Sequence, residues 1–215
     1  MVCLFTPSAD YQLTPHPPFG PDKVLEIVVA KYMEDMAWTD AYPENVTIYS
    51  KDQAADLGKY AVLPNLGREG GSYLYHISQR YNHLAEQTLF LQGDPFPHPM
   101  LPFCDYAQGP FVAGNSTDLS LDQPIPWASQ RMDRPVMEEF LRLVECDPAL
   151  AAYRWTQGAQ FAVSRAQIHQ RSLAYYQKLY EITQQQTVVL AGRPFDNHHV
   201  AWLFELFWRY IFSAG

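Results

Sequence analysis

The chain has 215 residues, and 47% of them are hydrophobic, which is enough to bury the core of one domain of ordinary size. Its formal net charge of -8 argues against nucleic-acid and anionic-membrane partners, because no basic surface is available to neutralise phosphates. No signal peptide or apolar run of roughly 20 residues is visible, and the three cysteines lack metal-site spacing. We therefore expect a cytoplasmic protein with free thiols that acts on a small molecule.

One α/β domain is expected over residues 24–215, preceded by an irregular, proline-rich arm at residues 1–23. Within the domain, residues 95–135 are also rich in proline and predict a long segment with few regular elements. Such a segment is either a lid or binding loop, or a passive wrap over the surface, and both interpretations stay open.

Apolar periodicity predicts the order of strands and helices. Runs rich in β-branched or aromatic residues predict buried strands at residues 23–30, 46–49, 88–92 and 158–163. Helical spacing of apolar residues predicts helices at residues 72–81, 135–146, 164–184 and 199–212. Pro135 suits the first turn of the second helix, and Ser164 with Gln167 forms a capping box at the start of the third. The glycine-rich segment 64–71 is predicted to be a loop.

Strands that alternate with helices predict a mainly parallel sheet flanked by helices, and ligands of such sheets bind at the carboxyl ends of the strands. Polar clusters directly follow three of the predicted strands, at residues 31–35, 50–52 and 92–94. We therefore predict that these clusters converge on one site.

Asp94 follows a predicted buried strand, where a carboxylate could hold a divalent cation together with diphosphate oxygens. It could equally cap a turn before Pro95. His98 is a possible further metal ligand, although a histidine in a proline-rich loop is more often exposed. His198 and His199 are adjacent, so only one of them could face a site from a helix.

Arg68 and Glu69 lie between the glycine-rich loop and a helix, where the arginine could bind an anion together with backbone amides. The alternative is a surface ion pair between the two. Glu205 is the one acid in the apolar run 200–208, and burial would raise its pKa and suit a general base. A structural ion pair with Arg68 or Arg165 is the alternative. The chain has no phosphate-binding P-loop, dinucleotide GxGxxG or nucleophile elbow.

Five segments occur in the order expected for one family. They are VVAKYMED at residues 28–35 with Trp38, PNLGRE at 64–69 with Tyr73-Leu74, LFLQGDPF at 89–96, GAQFAVS at 158–164, and Phe204-Glu205 with Trp208 and Ile211-Phe212. On these segments the chain resembles the fungal domain-of-unknown-function family numbered 3431, over roughly residues 24–212.

The layout of that family is similar to the nucleotide-sugar glycosyltransferases of the Rossmann-like GT-A type. The resemblance implies that Glu34 and Asp35 lie near a nucleotide, Asp94 near Mn²⁺ or Mg²⁺, and Glu205 near an acceptor. Gln92 stands where the second acid of the metal motif would be, which departs from the GT-A pattern.

These considerations predict catalytic roles for Glu205 and Asp94, with Asp94 and His98 as metal ligands. The residues predicted to bind substrate or nucleotide are Tyr32, Glu34, Asp35, Arg68, Glu69, Tyr73, Gln92, Gln160 and Trp208. The leading hypothesis is sugar transfer to a small acceptor in fungal specialised metabolism. The alternatives are a cyclase or isomerase that needs neither nucleotide nor metal, and a small-molecule binding protein.

Overall fold

The computed structural model describes residues 24–43, 45–52, 56, 59–98, 100–101, 105–107, 109–122, 132–149 and 152–213. The predicted arm at residues 1–23 and parts of the proline-rich segment lie outside these ranges. The described strands are β1 Leu25–Lys31, β2 Val46–Ser50, β3 Ala61–Val62, β4 Gln87–Gln92, β5 Phe111–Ala113, β6 Ser116–Ser120, β7 Ala152–Thr156, β8 Phe161–Ser164, β9 Thr187–Leu190 and β10 Arg193–Asp196. The described α-helices are α1 Arg68–Arg80, α2 Arg134–Leu143, α3 Arg165–Ile168, α4 Leu173–Thr183 and α5 Asn197–Ile211.

The central sheet is mixed and mostly parallel, with the strand order β3-β2-β1-β4-β8-β5. Strands β3, β2, β1 and β4 are parallel neighbours, whereas β8 is antiparallel to both β4 and β5. The prediction of an α/β fold with a mainly parallel sheet is therefore confirmed at this level. Two smaller antiparallel pairs, β6–β7 and β9–β10, lie outside the central sheet.

The two faces of the central sheet are buried in different ways. Side chains alternate across a strand, so Val28 and Phe90 face one side while Val29 and Leu91 face the other. The first side packs against an aromatic core supplied largely by α1, α2, α4 and α5. The second side is covered by the segments that follow β1 and β4, including the short 3-10 helices Ala37–Ala41 and Asp105–Ala107. In the described part of the chain, α-helices therefore pack chiefly on one face rather than on both.

Several predicted boundaries are wrong, each for a local reason. The helix predicted over residues 164–184 is two helices, because Ser172 starts a new one and its hydroxyl accepts a hydrogen bond from the Tyr175 amide at 3.2 Å. At the first start, the Ser164 hydroxyl accepts from the Gln167 amide as predicted, but the Gln167 side chain donates to the Phe212 carbonyl instead of reaching back. The proline-rich segment contains β5 and β6, which were not predicted, and β3, β7, β9 and β10 were not predicted either.

Helix α1 begins at Arg68, four residues before its predicted start, because glycines in this segment serve close packing. Gly67 precedes the helix with a φ of 67°, a left-handed conformation that glycine adopts without a steric penalty. A Cβ at Gly71 would lie 2.6 Å from the Leu66 carbonyl oxygen, and one at Gly70 would lie 3.1 Å from the Trp208 ring. Residues 68–71 of the predicted loop are therefore a tightly packed helix start, whereas residues 64–67 lie outside any helix or strand, as predicted. No helix among the described residues is both long and apolar enough to span a membrane.

Candidate functional site

A cavity of about 360 Å³ opens at the carboxyl ends of β1, β2 and β4. It is lined by Ala30, Lys31, Tyr32, Glu34, Lys51, Asn65, Arg68, Glu69, Gln92 and His198. The parallel register explains this convergence, because Lys31 is paired with Ser50, and Ala30 with Gln92, at the same edge of the sheet. The structure therefore brings together the three polar clusters that follow the strands. The volume of this cavity is at the lower end of the range for small-molecule sites.

Lys31, at the end of β1, forms an ion pair with a carboxylate. Its Nζ lies 2.5 Å from Asp56 Oδ2, which also accepts a 2.6 Å hydrogen bond from the Ser50 hydroxyl. The hydrogen bond from Lys31, followed by that from Ser50, lowers the pKa of the Asp56 carboxyl. Lys31 therefore lines the cavity with an ammonium that is already paired, and it is less available to a ligand than an unpaired one.

Lys51, which follows β2, is buried, and no carboxylate among the described residues forms a salt bridge with it. Its Nζ donates to the carbonyl oxygens of Leu66 at 2.6 Å and Pro64 at 3.1 Å. Burial lowers the pKa of Lys51 to about 8, opposed in part by the charge of Glu69. The amine therefore titrates near neutral pH, far below an ordinary lysine.

The start of α1 forms another wall of the cavity. Gly67 precedes this helix without a side-chain cap, and the positive end of the helix dipole points to this edge. The Arg68 guanidinium is partly exposed and its Nε lies 3.7 Å from Glu69 Oε2, with the Glu69 side chain only 11% exposed. Burial raises the pKa of Glu69, and Arg68 opposes this shift. An anion would therefore meet one exposed guanidinium beside a helix start.

Asn197, the first residue of α5, joins the start of that helix to Gly67, the residue before α1. Its Oδ1 accepts a short hydrogen bond from the Gly67 amide, while its Nδ2 donates to the Thr183 carbonyl at 2.7 Å. His198, the next residue, lines the cavity, and its pKa is lowered by burial and then by Arg68. A largely neutral imidazole at this position can donate or accept a hydrogen bond.

The matched family is reported as Protein of unknown function (DUF3431), and its model covers residues 27–108 and 122–215. The chain belongs to this family. No curated protein and no solved structure shows significant similarity to the chain. The family assignment made from the five sequence segments is therefore confirmed, and the similarity to GT-A glycosyltransferases stays a prediction.

In this DUF3431 member, five of the residues predicted to bind substrate line the cavity together: Tyr32, Glu34, Arg68, Glu69 and Gln92. Glu34 is held by the Tyr32 amide, which donates to its Oε2 at 2.6 Å. A Cβ at Gly93 would lie 2.4 Å from Glu34 Oε2, so a larger residue at the end of β4 would displace the Glu34 carboxylate. Trp38 closes the same corner by donating to the Gly93 carbonyl at 2.9 Å.

The other predicted binding residues do not line this cavity. Asp35 is exposed and accepts a hydrogen bond from the Ala37 amide at 3.0 Å. Tyr73 and Trp208 are fully buried, with ring centroids 5.9 Å apart, and form part of the aromatic core. Gln160 is also buried and donates to the Pro95 carbonyl at 3.0 Å, so it anchors the segment after β4.

Glu205 lies behind the cavity, on the face of α5 that packs towards the start of α1. Its Oε1 accepts a 3.0 Å hydrogen bond from the Gly158 amide, rather than pairing with Arg68 or Arg165. Arg165 donates instead to the Leu84 carbonyl. Burial, followed by the charge of Glu69, raises the pKa of Glu205 to about 7. The shift expected for a base is present, but the carboxylate is not among the groups that line the cavity.

The predicted metal ligands are not gathered into a metal site. Asp94 is exposed, and the His98 ring packs against Gly158, whose Cβ would lie 2.8 Å from the imidazole Cγ. Among the described residues, no group of three or more His, Cys, Asp or Glu side chains has the arrangement of a metal site. One exposed carboxylate does not supply the ligands that Mg²⁺ or Mn²⁺ requires from a protein, although substrate phosphates could complete such a shell.

The sequence-based reasoning placed Lys31 and Lys51 in strand-end clusters but did not select them as site residues, and it treated His198 only as a possible metal ligand. For the lysines, the available signal was a cation immediately after a buried parallel strand. Asn65 and His198 carried no comparable signal, because α1 and α5 meet at this edge through tertiary packing.

Proposed function

We propose that this chain is a transferase-like enzyme that binds a nucleotide sugar in the strand-end cavity and transfers the sugar to a small acceptor. The observation that carries the proposal is the exposed Arg68 guanidinium beside the start of α1, within a cavity at the carboxyl ends of parallel strands. An anionic diphosphate is the group that such a helix start and arginine suit best.

Arg68 supplies the main cationic contact in this proposal. Lys31 is already paired with Asp56, and Lys51 donates to two backbone carbonyls, so neither is as available to a ligand. His198 adds a hydrogen-bonding group to the same lining, and Arg68 helps to lower its pKa. A single arginine favours a diphosphate held partly by backbone amides, with the remainder of the ligand extending towards solvent.

Glu69 is a better candidate for the general base than Glu205. Both carboxyls have a raised pKa, but only Glu69 lines the cavity and could reach an acceptor hydroxyl there. A raised pKa brings a carboxylate closer to the basicity that proton abstraction at neutral pH requires. In this scheme, Glu205 does not contact the acceptor, and the nearby charge of Glu69 helps to raise the pKa of Glu205.

The metal dependence of GT-A enzymes fits this chain poorly, because Asp94 stands alone and exposed at the end of β4. Asp94 would be the protein residue that holds Mn²⁺ or Mg²⁺, together with the oxygens of a bound diphosphate. The metal would neutralise the charge that develops on the leaving diphosphate. The protein's own contribution is then orientation by Arg68 and proton abstraction by Glu69.

The test is thermal-shift binding of nucleotides and nucleotide sugars, each with Mn²⁺ and with EDTA. Ligand at 100 times Kd should add about 2.7 kcal/mol to the free energy of unfolding. Arg68→Gln should abolish the shift, whereas Arg80→Gln, a matched change in the last turn of α1, should retain it. Failure of every nucleotide to stabilise the protein at millimolar concentration would refute the proposal.

A second candidate is an enzyme such as a cyclase or isomerase that uses no nucleotide. It is favoured by the presence of two ionisable groups with shifted pKa values, Lys51 and Glu69, on the lining of one small cavity. Paired groups of this kind can move protons without a metal. Stabilisation by small carbonyl metabolites, without any nucleotide effect, would support this candidate over sugar transfer.

A further inference from the structure

The environment of Lys51 differs from that of every charge-paired lysine in the described chain. Its side chain is only 6% exposed, and its Nζ is held between the loop before α1 and the first turn of that helix. A Cβ at Gly71 would lie 3.3 Å from Nζ, so the glycine leaves room for the amine. Lys51 nevertheless belongs to the lining of the cavity.

The hydrogen bonds of Lys51 suit a neutral amine. A neutral primary amine has two N–H donors and one lone pair, and the carbonyls of Leu66 and Pro64 account for two donors. The lone pair is then the feature that remains for a ligand. Burial lowers the pKa to about 8, while Glu69 on α1 is the charged group that opposes this shift. Buried lysines with this property serve as nucleophiles in imine-forming enzymes.

We propose that Lys51 is a nucleophilic amine that forms an imine with a small aldehyde or ketone entering the strand-end cavity. The amine nitrogen attacks the carbonyl carbon, a C–N bond forms, and the carbonyl oxygen takes up a proton to give a carbinolamine. Loss of hydroxide, protonated to water, and of the remaining N–H proton gives the C=N bond. The balance is carbonyl plus amine to imine plus water, with no oxidant or reductant.

Glu69 is the proton carrier for this step, because it lines the same cavity and its carboxyl is mostly buried. It donates a proton to the departing oxygen and recovers one from nitrogen. Arg68 beside it favours carbonyl compounds that carry a carboxylate or phosphate. This inference goes beyond the proposed sugar transfer and does not depend on it, because it requires neither a nucleotide nor a metal.

The experiment is reductive trapping of the full chain with glyoxylate, a small anionic aldehyde, and sodium cyanoborohydride at pH 7. Modified lysines are located by peptide mass mapping, and rates are compared with those of Lys59 and Lys178. At pH 7 an amine of pKa about 8 is neutral in roughly a tenth of molecules, against well under a thousandth for an ordinary lysine. We expect Lys51 to be modified more than about tenfold faster than the other two lysines.

Two matched variants separate reactivity from structure. Lys51→Arg retains donors for both carbonyls and should remain folded while losing the fast modification. Lys178→Arg changes an exposed lysine on α4, outside the cavity, and should leave the fast modification of Lys51 in place. Modification of Lys51 no faster than Lys59 and Lys178 in the folded wild-type protein would overturn the proposal, as would an unchanged fast phase in Lys51→Arg.

Discussion

The ends of β1 and β2 bury two lysines side by side in different ways. Lys31 is 7% exposed and meets the Asp56 carboxylate, whereas Lys51 is 6% exposed and meets two backbone carbonyls. The two residues have nearly equal burial and line one cavity, so the partner makes the difference. The carboxylate compensates the charge of the buried Lys31 amine, whereas neutral carbonyls leave the charged form of Lys51 disfavoured by burial, and its pKa is lowered.

Glu205, like Lys51, is hydrogen-bonded to a neutral backbone group, although its charge has the opposite sign. Its hydrogen-bond partner is the Gly158 amide, and a like charge, Glu69, stands nearby. The start of α1 therefore collects ionisable groups whose charges are not matched at contact distance, apart from the long Arg68–Glu69 approach of 3.7 Å. The Lys31–Asp56 side of the cavity supplies stability, and the α1 side supplies groups with shifted pKa values.

Replacement of Asp56, the carboxylate that pairs with Lys31, should have the largest effect on the free energy of unfolding. In Asp56→Asn the Lys31 ammonium loses its counter-charge, and we expect the free energy of unfolding to fall by about 3 kcal/mol. That value is the low end for buried pairs, because this pair is covered from solvent but lies close to the protein surface. Urea unfolding measures the loss, with Asp35→Asn, an exposed acid near the same strand, as control. A loss below about 1 kcal/mol would show that the pair does not stabilise the fold.

Replacement of Glu205 should change the free energy of unfolding by an amount that depends on pH. Because the folded pKa of Glu205 is raised to about 7, its favourable contribution is complete below the unfolded value near 4.5 and is lost as the pH rises through 7. Glu205→Gln keeps an oxygen that can accept the Gly158 hydrogen bond but does not titrate. Relative to wild type, the variant should gain roughly 3 kcal/mol between pH 4.5 and pH 8, the free energy that corresponds to the rise in the pKa of Glu205 from 4.5 to about 7.

Urea unfolding at several pH values measures this gain for Glu205→Gln. The matched control is Glu138→Gln on α2, whose carboxylate forms exposed ion pairs with Arg134 and Arg142. A stability difference that does not change with pH would contradict the assignment of Glu205 as a carboxyl disfavoured by its surroundings.

An exposed ion pair should have the smallest effect. Arg154 contacts Asp118 at 2.8 Å across the β6–β7 pair, and both side chains are about half exposed or more. Solvent screening makes such a pair worth little despite its good geometry. Asp118→Asn should therefore leave the urea midpoint almost unchanged, and a shift as large as that of Asp56→Asn would remove the distinction between matched pairs inside and outside the core.

The parallel half of the sheet could be predicted because its strands have a clear local sequence pattern. β1 and β4 are continuous apolar runs bounded by polar residues, and their ends followed the predicted boundaries closely. The strands β9 and β10 carry no such run: Val189 is exposed and Pro194 lies within β10. Their pairing depends on a turn at Ala191 and Gly192, both with positive φ, which apolar periodicity does not report.

The site was predictable where it follows strand ends and unpredictable where helices meet. Tyr32, Glu34 and Gln92 follow from the register of β1 and β4, and Arg68 and Glu69 from their place before a helix. Tyr73 and Trp208 belong to the core instead, because Gly70 lets α1 approach the Trp208 ring closely. The same approach places Glu205 behind the cavity, a tertiary outcome that spacing along the chain does not encode.

The hydrogen bond from Gly67 to Asn197 has a consequence for biosynthesis. It joins residues 130 positions apart, and Asn197 is the residue that also seats His198 at the cavity. The sheet strands β1, β2 and β4 emerge from the ribosome long before this anchor exists, so the cavity is incomplete during most of translation. The cavity is therefore complete only after α5 has been made, by which time the strands beneath it have already been synthesised.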